Sequence, residues 1–106
     1  MHNSVDKYLS DEKVKDLVIN SLARLVAIPS VSDPGEGGFI FGKQCAKALD
    51  AALDIGKKLG FRTENHDYYC GSVVMDGSDK DAGEIGIVAH LDVVPAIEGW
   101  LFPRFK

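Results

Sequence analysis

Ile85-Gly86-Ile87-Val88-Ala89-His90-Leu91-Asp92-Val93-Val94-Pro95 is the stretch on which the reading of this chain turns. It is a near-continuous apolar run, rich in β-branched residues, with one histidine and one aspartate at its end. Such a run predicts a strand buried on both faces. Ionisable side chains are rarely placed there without a partner. Two residues apart on a strand, His90 and Asp92 project from the same face. An imidazole beside a carboxylate suits a metal ligand: one ring nitrogen binds the ion, and the carboxylate sets the tautomer and orientation of the ring. A zinc site takes three or four ligands, and one His-x-Asp supplies too few. Eleven residues follow Pro95. The expectation is therefore the front part of a larger protein, unless further ligands come from less obvious positions.

The composition frames that expectation. The 106 residues suffice for one small domain and are too few for two. An apolar share of 45% and a charged share of 26% are those of an ordinary globular protein. The net charge is −4, acids and bases are interspersed, and no basic stripe is present. This argues against nucleic acid and anionic membranes as partners. No apolar run approaches the roughly 20 residues that span a bilayer. The polar, charged stretch 1–15 does not read as a secretory signal. Cys45 and Cys70 stand apart without CxxC spacing, so free thiols and a cytoplasmic location are expected.

Upstream of the run, residues 10–28 predict an amphipathic helix. Val14, Leu17, Val18, Leu22, Leu25 and Val26 recur at helical spacing, with Ser10 as N-cap and Asp11 and Glu12 in the first turn. Pro29 ends it. A Gly- and Ser-containing loop over 29–41 leads to a second helix over 42–59. Cys45, Ala48, Leu49, Ala52 and Leu59 keep its period, Gly56 weakens it, and Gly60 closes it. The small residues Ala46, Ala48, Ala51 and Ala52 would let it lie close to a sheet. Strands are expected over 61–65, 72–75 and 85–94, with a polar turn over 76–83. The order is helix-helix-strand-strand-strand: an α/β fold, read as one incomplete domain over 1–106. Two helices are available to cover one face of the sheet, and nothing covers the other.

At His90-Leu91-Asp92-Val93-Val94-Pro95, with Glu98-Gly99-Trp100 downstream, the chain resembles the start of a di-zinc amidohydrolase and exopeptidase family. The family includes bacterial Xaa-His (carnosinase-like) dipeptidases, acetylornithine deacetylase, succinyl-diaminopimelate desuccinylase and the aminoacylases. Leu25-Val26-Ala27-Ile28-Pro29-Ser30-Val31-Ser32 and Leu59-Gly60-Phe61 agree in order and spacing, so the resemblance spans nearly the whole chain and is nearest to the bacterial dipeptidase branch. It implies a zinc-exopeptidase-like catalytic domain that hydrolyses dipeptides with metal-activated water. It implies His90 as a zinc ligand and Asp92 as the carboxylate that orients its ring. Two zinc ions serve the intact enzyme, and at most one partial site could form here. The bridging aspartate, the Glu-Glu pair, a further acidic ligand and a late histidine of the family all lie beyond the equivalent of Lys106. Where the family continues with an acidic residue and Pro-Phe, this chain reads Leu101-Phe102-Pro103-Arg104-Phe105-Lys106, which suggests a truncation or a frame change near Trp100.

The chain alone is thus expected to be inactive. A deacylase of N-acyl amino acids is the alternative within the family, and a non-catalytic α/β binding module the alternative outside it. An exposed apolar strand would favour self-association. The remaining candidates read as structural. His66 falls in a loop, His2 in a mobile terminus, and Cys45 on an apolar helix face. Cys70 lies at a turn with no base near it in sequence. Gly35-Glu36-Gly37-Gly38 lacks the ending of a phosphate loop, and 76–81 lacks the calcium-loop pattern. Trp100 would cover the mouth of the site in the intact enzyme.

Overall fold

The computed structural model describes residues 2–99, and side chains from residue 5 onward. Among the described residues the regular structure consists of three α-helices, one short 3-10 turn at Glu36–Gly38 and one hairpin: α1 (His2–Ser10), α2 (Glu12–Val26), α3 (Lys43–Lys58), β1 (Arg62–His66) and β2 (Cys70–Val74). The class is α/β, with a two-stranded antiparallel sheet.

Helix α3 organises the packing. Alanines and long unbranched side chains dominate it, and these favour helix. Its stop is a left-handed glycine: Gly60 has φ +92° and donates to Lys57 O, while the Phe61 amide reaches back to Gly56 O. This double bond satisfies carbonyls that the helix end would leave open. Its start is capped from the glycine-rich loop, where Glu36 Oε2 accepts the Lys43 amide at 2.9 Å. The loop 35–38 thus supplies a cap to α3. Among the described residues, the buried apolar side chains are Ala46, Ala48, Leu49 and Ala51, all on α3.

The hairpin lies on that helix through two glycines. A Cβ at Gly56 would come within 3.0 Å of both Val73 methyls, and one at Gly71 within 2.8 Å of Leu49 Cδ1. The strands pair from Arg62↔Val74 to His66↔Cys70. They turn through Asp67 and Tyr68, both at positive φ, where Asn65 Oδ1 accepts the Tyr68 amide. Tyr68 then returns to α3, donating its hydroxyl to Asp50 at 3.0 Å.

Several sequence expectations need correction. Residues 2–10 form a helix of their own, so there are three helices, not two. Ser10 ends α1 and donates to Asp6 O, and Asp11 is the cap of α2, accepting the Lys13 amide at 2.9 Å. The polar tip competes for the first free amides, and the carboxylate one residue later is better placed. Helix α2 buries no residue and packs on α1 and α3 without touching the hairpin. Among the described residues only α3 covers the sheet.

The largest correction concerns residues 85–94. They join no ladder, and Ile85, Ile87 and Val88 are 95%, 92% and 99% exposed. A strand needs a neighbour to take its amides and carbonyls, and β-forming residues do not provide one by themselves. No strand among the described residues pairs with the segment. The radius of gyration, 16.6 Å, exceeds the roughly 13 Å of a compact 100-residue domain. The described residues do not close around one core.

Candidate metal-ligand site

The site is built where three segments meet: the loop after α2, the first turn of α3, and residues 90–93. Pro29 forces the chain out of helix after α2, which brings Ser30 inward. Ser30 is 2% exposed. Its hydroxyl donates to Leu91 O at 2.8 Å, and its carbonyl accepts the Val93 amide at 3.0 Å. The Cys45 thiol, on α3, donates to the same carbonyl at 3.5 Å. Burial, and after it the negative charge of Asp92, push the Cys45 thiol up, so it keeps its proton and its role as a donor.

His90 and Asp92 meet despite the missing ladder. His90 Nδ1 lies 3.2 Å from Asp92 Oδ1 and 3.0 Å from Asp92 O. A carboxylate and a backbone carbonyl only accept. Facing two acceptors, Nδ1 is the donor nitrogen of the pair, and in the neutral imidazole with that tautomer Nε2 carries the lone pair. This is the electronic state a metal ligand needs. The imidazole side chain is 84% exposed.

The remaining donors do not gather around the pair. Among the described residues no group of three His, Cys, Asp or Glu is placed to hold a metal ion. The donor set fits one corner of a zinc shell and does not close it. His66, expected in a loop, is the last residue of β1 and shares a hydrogen bond with Ser72 Oγ at 2.8 Å. Cys70 opens β2 and is exposed. The backbone of His2 opens α1, and its side chain lies outside the described residues, as do Trp100 and 101–106. Ser30 is the member of the site that sequence reasoning missed. A single serine after a proline carries no periodic signal, and only the fold reveals its partners 61 and 63 positions away.

No family model matches the chain. Individual relatives do. It is 38% identical over 102 residues to the "Beta-Ala-Xaa dipeptidase" of Lactobacillus delbrueckii subsp. lactis, which covers 94% of this chain and 21% of that protein. It is 36% identical over 91 residues to a putative dipeptidase of Staphylococcus aureus strain USA300, covering 84% of this chain and 19% of that one. At 94% coverage the first match takes in His90 and Asp92, which lie farther from the C-terminus than the unmatched residues can reach. Both relatives are named as dipeptidases, one of them putatively. The chain spans about a fifth of the length of these relatives. Among the described residues no helix is long and apolar enough to cross a membrane.

Proposed function

We propose that this chain carries the first metal-ligand segment of a zinc-dependent dipeptidase, with His90 as ligand and Asp92 as the residue that orients it. The observation that carries the reading is the His90–Asp92 pair, Nδ1 committed and Nε2 open, inside a sequence similar along nearly its full length to dipeptidases. When bound, zinc supplies Lewis acidity toward water and the peptide carbonyl of a dipeptide. The chain's own residues hold one ligand nitrogen and fix its tautomer. The proton on Nδ1 stays with Asp92, which raises the basicity of Nε2. Substrate binding and general-base chemistry fall to residues outside 2–99, so the 106-residue chain has no dipeptidase activity by itself. Free thiols at Cys45 and Cys70 support a cytoplasmic site of action.

The test is a chimera. Residues 8–99 replace the matching segment of the Lactobacillus dipeptidase, and zinc content and hydrolysis of β-alanyl dipeptides are measured. The expected result is a zinc-loaded, active chimera. His90→Ala loses one zinc and activity, and Asp92→Asn retains folding with activity reduced at least tenfold. A folded chimera whose activity survives His90→Ala, or turnover by the 106-residue chain alone, would overturn the reading. Comparing dipeptides with N-acetyl amino acids on the same chimera separates dipeptidase from deacylase.

A further inference from the structure

We propose that Ser30 is a positioning residue, clamping the backbone on both sides of Asp92 so that the His90–Asp92 pair is held for its ligand. The inference rests on the metal reading of His90. Its own support is geometric. The serine hydroxyl donates to Leu91 O at 2.8 Å and the serine carbonyl accepts from Val93 N at 3.0 Å. These two bonds bracket the single residue whose carboxylate and carbonyl both face His90 Nδ1.

The clamp stands out because the surrounding segment has so little else to hold it. Residues 85–88 and Val94 are exposed, a Cβ at Gly86 would meet nothing within 4 Å, and no ladder supports them. Ser30, in contrast, is buried, and its carbonyl is fixed a second time by the Cys45 thiol on α3. The serine ties residues 91 and 93 to a helix whose position is set by the hairpin and the alanine face. A buried hydroxyl with a satisfied bond is costly to orphan. Removing it frees a carbonyl next to the site and lets the 90–93 backbone sample conformations in which Asp92 leaves the ring.

The experiment uses the 106-residue chain labelled with ¹⁵N, with the imidazole nitrogens of His90 read by NMR before and during titration with zinc sulfate. In the wild type the Nδ1–H tautomer dominates, and zinc perturbs Nε2. In Ser30→Ala the tautomers mix, the Val93 amide exchanges about tenfold faster, and half-saturation by zinc needs about tenfold more metal. Val93→Pro removes the other bond, that from the Val93 amide to Ser30 O, at a residue whose side chain is partly exposed. It gives the same imidazole signature without lowering the melting temperature, which a merely structural role for the clamp would not do. If Ser30→Ala fails to fold, Val93→Pro decides alone. A wild-type tautomer and an unchanged zinc titration in the folded variants would overturn the clamp. The metal reading of His90 is judged separately in the chimera: full zinc content there after His90→Ala would overturn that reading and with it the purpose assigned to Ser30, even if the tautomer does depend on that residue.

Discussion

Replacing Gly56 by alanine sets two effects against each other, and the structure says which wins. In an exposed helix interior the change stabilises by about 1 kcal/mol, because alanine loses less backbone entropy than glycine. Gly56 is buried on α3, however, where the new Cβ would lie 3.0 Å from Cγ1 and Cγ2 of Val73 and 3.4 Å from Cγ2 of Thr63. Carbon atoms pack at about 3.5–4.0 Å, so the hairpin must withdraw by roughly half an ångström. Val73 cannot relieve the clash easily, since both its methyls are equally near and its χ1 is stiff. Overpacking of this kind costs about 1–3 kcal/mol. The net expectation is a loss of about 1 kcal/mol, or a fall of roughly 4–8 °C in melting temperature for a domain of this size. Val73→Ala removes both opposing methyls. In the double variant the new methyl has room, so Gly56→Ala becomes stabilising there, with a coupling of about 1–2 kcal/mol between the two changes. Thermal unfolding of the four proteins followed by circular dichroism measures that cycle. A stabilising Gly56→Ala in the wild-type background, or additivity of the two changes, would refute the close approach of α3 to the hairpin.

Acid should weaken the fold through three carboxylates. Asp54 is held below its ordinary pKa by Arg24 and then Lys58, Asp76 by Arg62, and Glu36 by the Lys43 amide. A pKa lowered in the folded state gives stability that is present above the unfolded value, about 4, and is lost as pH falls through the folded one. Asp54→Asn should therefore flatten the loss of stability between pH 4 and lower values in urea titrations, and an unchanged slope would count against the Arg24–Asp54–Lys58 cluster. The exposed 85–94 segment should drive self-association, so Ile87→Lys with Val88→Lys should shift the chain toward monomer in sedimentation velocity while its melting temperature stays within a degree or two. A wild-type chain already monomeric at high concentration would show that this surface is not adhesive.

What the sequence disclosed depended on the range of the interaction behind each feature. Helix α3 was readable to within a residue at either end, because its propensities, its period and its Gly60 stop are all local. The hairpin was readable in outline, with β2 starting two residues earlier than expected and His66 inside β1. Helix α1 was missed because the stretch is polar overall, although Val5, Tyr8 and Leu9 already stand at helical spacing. The error at 85–94 has a different origin. Its β-branched run states a preference for strand, but a ladder is a relation between two segments, and the preference alone cannot show that the second is there.

The His90–Asp92 pair was legible for a reason independent of that error. The two residues were expected on one face because a strand alternates, yet they meet without a ladder. Short sequence separation, one rigid carboxylate and a backbone carbonyl within 3.0 Å of the same nitrogen are sufficient. Placing the pair is a separate matter, and for this the chain uses Ser30, whose bonding partners lie in the motif itself and whose own position depends on Pro29 and α3. The ligand nitrogen is thus referenced to the best-packed element of the structure, while the apolar residues before it remain uncovered. Under the proposed function that division has a physical logic. The geometry of the ligand is held locally by hydrogen bonds that survive exposure, whereas closing the shell and burying residues 85–88 both require surface that this chain does not supply among its described residues.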